Sequence, residues 1–241
     1  MRAETRHQLK EDRFSKATFE AAEKTVNWSQ EHQGKLIVAA AAVIVIAAIG
    51  IGGWYYMNSQ DEKASMDLTA AVRTLETPLR PAGTPEQPGY ASFDSGTARA
   101  SAARKQFQEI LDKYAQTRSG KMARYFVGLT AAQLGDNATA ERDLQEAAGS
   151  SDSNLASLGK MALASLYAAE NKDSQAVDLY QQLIDHPTEV VSKVAAQFEL
   201  ADFYEARHRT DDARKAYAQI QKENPSSDAS QLAQRKLAEL K

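Results

Sequence analysis

Residues 158–183 read LGKMALASLYAAENKDSQAVDLYQQL, and this stretch decides the fold because it is one copy of a unit that recurs along the chain. Ala103, Ala140, Ala176 and Ala213 stand 37, 36 and 37 residues apart. Four residues after each comes a large apolar side chain (Phe107, Leu144, Tyr180, Tyr217), and three further on Ile110, Ala147, Leu183 and Ile220. An earlier register runs ahead of these columns: Val127-Gly128, Leu163-Ala164 and Leu200-Ala201, each followed three residues later by Ala131, Tyr167 and Tyr204. Steps of three and four are the period of a helix face, so each unit is a pair of amphipathic helices.

Small residues in fixed columns let the two helices of a pair approach closely, and the large ones fill the gap to the next pair. The pattern resembles the tetratricopeptide repeat. That family's helix pair carries a Leu and a small residue, then a Tyr, then an Ala, an aromatic residue beyond it and a closing Pro, here Pro225 with Pro187 close to its expected place. Two features depart from it. The period exceeds the family's value of about 34 residues, which puts extra residues into turns such as GSSDSN from Gly149 to Asn154, and no Trp holds the first signature position. The resemblance implies an all-α fold: a tetratricopeptide-like α-solenoid of about 3.5 helix pairs. Helices 60–76 and 98–115 are expected to form an imperfect first pair, followed by fuller pairs over 119–148, 155–185 and 190–223. In the first of these helices Met66, Ala70, Val72 and Leu75 offer the apolar face. A C-terminal capping helix over 228–240 is expected to turn Leu232, Leu237 and Leu240 inward, closing an end that would otherwise expose apolar surface.

Upstream, Leu36 to Met57 (LIVAAAAVIVIAAIGIGGWYYM) is twenty-two residues without a charge. At about 1.5 Å per residue it makes a helix of roughly 33 Å, enough to span a hydrocarbon core of about 30 Å. Trp54, Tyr55 and Tyr56 border one end, and Trp28 and Lys35 precede the other, as interfacial anchors do. A buried core helix of a soluble domain is the alternative, usually shorter; a cleaved signal peptide fits poorly, because bulky aromatics stand where a small-residue cleavage site belongs. The reading is a single N-terminal transmembrane helix. The domain plan is a 1–35 tail, the 36–57 anchor, a 58–97 linker helix with a Pro/Gly-rich loop, and the 98–241 repeat domain with its cap. In the tail, Phe14, Thr18, Ala21, Thr25 and Trp28 mark an amphipathic helix that either lies on the membrane surface or leads solvated into the anchor. Four of the six prolines (Pro78, Pro81, Pro85, Pro88) fall in the loop 77–97, a hinge or a functional excursion. Ala48 and Gly52 form a small-xxx-small step open to a second transmembrane helix.

Composition narrows the chemistry. Lys and Arg total 29 against 32 Asp and Glu, a net charge of −3, without the basic excess of a nucleic-acid binder. With no cysteine, disulfides, thiol nucleophiles, thiolate metal sites and a lipid-modified cysteine are excluded. His7, His32, His186 and His208 do not stand at metal-ligand spacing in the sequence, and no phosphate-cradling or nucleophile-elbow motif occurs. The chain is therefore read as a non-enzyme, without catalytic residue, metal or cofactor.

Binding is the remaining task. In tetratricopeptide solenoids the first helix of each pair lines the concave face, and the resemblance puts Tyr125, Met161 and Phe198 there, with Met122, Leu158 and Ala195 three residues earlier and Leu129 and Asp202 four later. A stripe of this kind suits an extended or apolar polypeptide, unless its side chains pack within the superhelix. Lys16, Lys24 and Lys35 before the anchor against Lys63 and Arg73 after it favour a cytoplasmic N-terminus. Gln30–Lys35, the Gly53-Trp54-Tyr55-Tyr56 border and the repeats together resemble the ancillary subunit of the bacterial SecYEG translocon. That resemblance implies an inner-membrane, single-pass adaptor with a periplasmic repeat domain that binds unfolded client segments, the translocon or a chaperone. A scaffold that docks one folded partner, even with its repeats in the cytoplasm, is the alternative.

Overall fold

The computed structural model describes residues 32–85 and 89–240. The tail, its expected amphipathic helix from Phe14 to Trp28 and Pro88 lie outside the described residues. Among those described the chain forms nine helices and no strand: α1 (Gln33–Glu76), α2 (Gly96–Tyr114), α3 (Arg118–Gln133), α4 (Asn137–Ala148), α5 (Ser153–Ala169), α6 (Asp173–Asp185), α7 (Lys193–Ala206), α8 (Thr210–Glu223) and α9 (Asp228–Glu239). This is the tetratricopeptide-like α-solenoid.

Packing divides the chain into two units, Met1–Met57 and Asn58–Lys241. In the first, every described side chain from Ile37 to Met57 is exposed, Trp54 at 68% and Tyr55 at 71%. This portion of α1 is long and apolar enough to cross a membrane.

In the second unit the helices start where polar side chains catch otherwise unpaired N–H groups. Ser95 Oγ accepts from Ala98 N (3.1 Å), Thr117 Oγ1 from Gly120 N (2.9 Å) and Asp152 Oδ1 from Asn154 N (3.0 Å). Ser192 Oγ accepts from Ala195 N (3.2 Å) and Ser227 Oγ from Ser230 N (3.1 Å). Helices α6 and α8 lack such a cap and instead carry Asp173 and the Asp211–Asp212 pair in the first turn, where carboxylates oppose the helix dipole. The turn inside each pair reverses through one left-handed residue in the same column: Gly135 (φ 79°), Asn171 (φ 60°) and His208 (φ 57°). His208 is thus a turn residue, and His186 caps the C-terminus of α6.

The small columns sit at the closest approaches. A Cβ at Gly128 would come within 2.8 Å of Leu144 Cγ, and one at Gly159 within 2.4 Å of Ala148 N. The large columns, Phe107, Leu144, Tyr180 and Tyr217, are at most 3% exposed. Each bridges neighbouring helices in successive core clusters.

Two faces differ from expectation. On α1 the buried residues are Ala64 and Ala71, with Leu68, Val72 and Leu75 beside them, whereas Met66 is 63% exposed and Ala70 is also outside. Ala64 and Ala71 share the side of α1 that packs with Ala103 and Phe107, whereas Met66 lies about 200° round the helix from Ala64 and faces away. On the capping helix Ala233 is the buried contact and Leu232 is 38% exposed, while Leu237 and Leu240 pack inward. The proline loop closes on its own base: Arg80 N donates to Phe93 O (2.8 Å), Phe93 N to Pro78 O (3.1 Å), and Arg80 pairs with Asp94. Arg99 Nη1 ties Thr77 O at 3.0 Å, holding both ends of the loop beside α2.

Candidate functional site

The expected binding residues stand on the first helices of three successive pairs, α3, α5 and α7, at i, i+3 and i+7 of one face. That spacing aligns them along each helix. Met122, Tyr125 and Leu129 on α3, Leu158 and Met161 on α5, and Phe198 on α7 are all half-buried. Ala195 and Asp202 are exposed. The fold brings Tyr125, Leu129 and Met161 against the central core cluster, and Met161 also joins Leu158 beside Leu183 and Val191. Phe198 belongs to the last cluster, its ring 6.3 Å from that of Tyr217. Tyr125 meets Phe126 edge-on at 5.3 Å, and burial pushes its hydroxyl pKa up, so it is a neutral hydrogen-bonding group. Tyr125, Leu129, Leu158, Met161 and Phe198 are thus rooted in the core and leave part of each side chain on the surface.

Asp202 has structural partners. The Tyr217 hydroxyl donates between Asp202 and Glu205, reaching Glu205 Oε2 at 2.8 Å. Lys236 Nζ from α9 lies 3.1 Å from Asp202 Oδ1 and 3.3 Å from Glu205 Oε2. Burial and the two carboxylates raise the Tyr217 pKa, and the same carboxylates raise that of Lys236. The three charges and the phenol fasten the cap. A second network joins consecutive pairs: Tyr167 Oη donates to Glu141 Oε1 (2.9 Å) and Lys172 Nζ to Glu141 Oε2 (2.9 Å). The repeat columns supply one phenol to each network, Tyr217 and Tyr167, but do not announce the charged partners, Asp202, Glu205 and Lys236 in the first and Glu141 and Lys172 in the second, which lie outside the repeat signature.

Among the described residues no group of three or more His, Asp or Glu is placed to hold a metal ion. The most deeply buried carboxylate, Asp143, is satisfied by Arg142 through bonds of 3.1 and 2.9 Å and by Arg124 at 3.8 Å.

Stacked helix pairs with half-buried apolar side chains along their first helices define a class: a helical-repeat adaptor for protein–protein interaction. The sequence profile of the tetratricopeptide repeat-like domain matches residues 26–241, and the chain belongs to that family. No curated protein and no solved structure matches it.

Proposed function

We propose that the chain is a membrane-anchored adaptor that works by binding and not by catalysis. Leu36 to Met57 crosses the bacterial inner membrane, the N-terminus is cytoplasmic, and residues 58–241 act in the periplasm beside the translocon. There the face carrying Tyr125, Met161 and Phe198 engages emerging client segments or hands them to a chaperone. The observation that carries this reading is the conjunction of an apolar helix exposed along its whole length from Ile37 to Met57 with an apolar column on the first helices of three repeats. The aromatic border Trp54–Tyr56 and the lysine bias support the placement, and the Gly-Trp-Tyr-Tyr border supports the likeness to the translocon's ancillary subunit. Edges of Tyr, Met and Phe at the surface give broad apolar contact with little dependence on sequence.

The test is client capture by the full-length protein in membranes, read by site-specific crosslinking to nascent secreted chains. Changing Tyr125, Met161 and Phe198 together to Ser is expected to lower crosslinking about tenfold or more, since each loses apolar contact. Undiminished crosslinking in a folded triple variant would remove this face from the mechanism.

A further inference from the structure

The repeats serve as internal controls for one another, and one column breaks the pattern. Three residues after the conserved-spacing alanines stand Asp143 on α4, Leu179 on α6 and Ala216 on α8. In the first of these pairs Asp143 is 1% exposed and faces Arg124 of α3. In the second, Leu179 packs against the central core. In the last pair the column shrinks to alanine, and the residue in Arg124's column is Gln197. An open groove of about 520 Å³ lies there, between α6 and α8 with α7 as its floor. That volume is within the range of about 300–1,000 Å³ typical of ligand pockets.

Leu200 on the α7 floor meets Ile184 of α6 and Ala216 of α8 to form an apolar patch in the groove. Beside it Gln197, 6% exposed, donates from Nε2 to Glu223 Oε2 at 2.8 Å, which fixes the amide's orientation because its oxygen cannot face a carboxylate. Its Oε1 has no donor among the described residues. On the rim, Lys193 pairs with Glu223 (2.9 Å), and Asp212 pairs with Arg209 (2.7 Å) and lies 3.9 Å from the exposed Lys215, on the α8 side of the groove away from Asp185 on α6. Asp185 accepts from Gln181 Nε2 (3.1 Å) and has no ion-pair partner among the described residues. The groove thus combines space for one aliphatic side chain, an acceptor beside that space and an uncompensated carboxylate at the edge.

We infer that this groove is a second polypeptide site, which seats an extended segment of a partner protein carrying an aliphatic side chain next to a lysine or arginine. The aliphatic group fills the place that Leu179 fills one repeat earlier. The basic side chain pairs with Asp185, and a main-chain N–H of the segment can satisfy Gln197 Oε1. The inference rests on the reading that the chain binds polypeptides, but it uses the opposite face of α7 from Phe198, so the two sites are separable.

The experiment uses the full-length protein in detergent micelles and a short fluorescein-labelled peptide with a central Leu-Lys pair in a Gly/Ser background, read by fluorescence anisotropy. The wild type is expected to bind saturably. Ala216→Leu, which rebuilds the neighbouring repeat's own filling, is expected to weaken binding about tenfold. Asp185→Asn, at an exposed position that the fold does not need, is expected to weaken it several-fold and to reduce its salt dependence. A peptide with Glu in place of Lys is expected to bind less tightly than the Leu-Lys peptide. The triple Ser variant at Tyr125, Met161 and Phe198 is expected to retain the component of probe binding that Ala216→Leu weakens and that prefers Lys over Glu in the peptide. Absence of saturable binding, or binding unaltered by both Ala216→Leu and Asp185→Asn, would overturn the inference. Loss of binding in the triple Ser variant alone would assign the peptide to the other face and leave the adaptor reading standing.

Discussion

Glu223 shows how much one side chain at the end of a repeat contributes. It receives Lys193 Nζ at 2.9 Å, Gln197 Nε2 at 2.8 Å and Gln219 Nε2 at 2.5 Å. These donors, Lys193 first, hold its carboxyl down to about 2 from an ordinary 4.5. A carboxylate with a lowered folded-state pKa contributes stability above its unfolded pKa and loses it as pH falls through the folded value. The contribution of Glu223 is therefore complete above pH 4.5 and disappears toward pH 2. Urea unfolding of wild type and Glu223→Gln is expected to show the wild-type advantage at pH 5 and above, with the two curves converging over that window. An advantage that is constant with pH would contradict the assignment. Single residues were also where the sequence was least legible. Helical periodicity placed Met66 and Leu232 on apolar faces, but the structure buries Ala64, Ala71 and Ala233. Adjacent positions on a helix differ by about 100°, and close backbone approach selects the smaller side chain.

At the scale of the element, the capping helix is held by polar chemistry as well as by burial of Ala233. Lys236 brings its ammonium to Asp202 and Glu205, with the phenol of Tyr217 between the carboxylates. Lys236→Met keeps the aliphatic stem and removes the charge, leaving two carboxylates facing each other. Amide exchange in α9 is expected to speed up by an amount equivalent to up to about 1 kcal/mol, while exchange in α3 to α5 stays as it was. Lys236→Arg is expected to restore protection, and uniform loss across all helices would show that the contact acts on global stability and not on the cap. The helix pairs themselves were readable beforehand. Their caps, turn residues and small–large columns are local features, and each helix from α2 onward begins near a Ser, Thr or Asp that the sequence displays. The proline loop was readable only as irregular, because its closure depends on Arg80, Phe93 and Arg99 meeting across the chain.

For the molecule as a whole, the proposed function turns on the repeat unit lying on the far side of a membrane from the cytoplasm. An alkaline phosphatase fused after Lys241 is expected to be active, and a fluorescent protein there that matures only in the cytoplasm is expected to be dark. The reverse pattern would place the repeats in the cytoplasm and end the proposed link to exported clients. The sequence by itself determined the helical class, the repeat period, the pairing of helices and an apolar segment of spanning length. All of these are periodic signals, and a period survives without knowledge of what each face touches. Tertiary structure alone decided which alanines lie at the closest contacts, how the cap is fastened, and where a shortened side chain opens a groove. The missing bulk at Ala216 becomes a groove only because α6, α7 and α8 meet around it. Such facts belong to the packing of separate helices, and no single helix's sequence contains the shape of its neighbours.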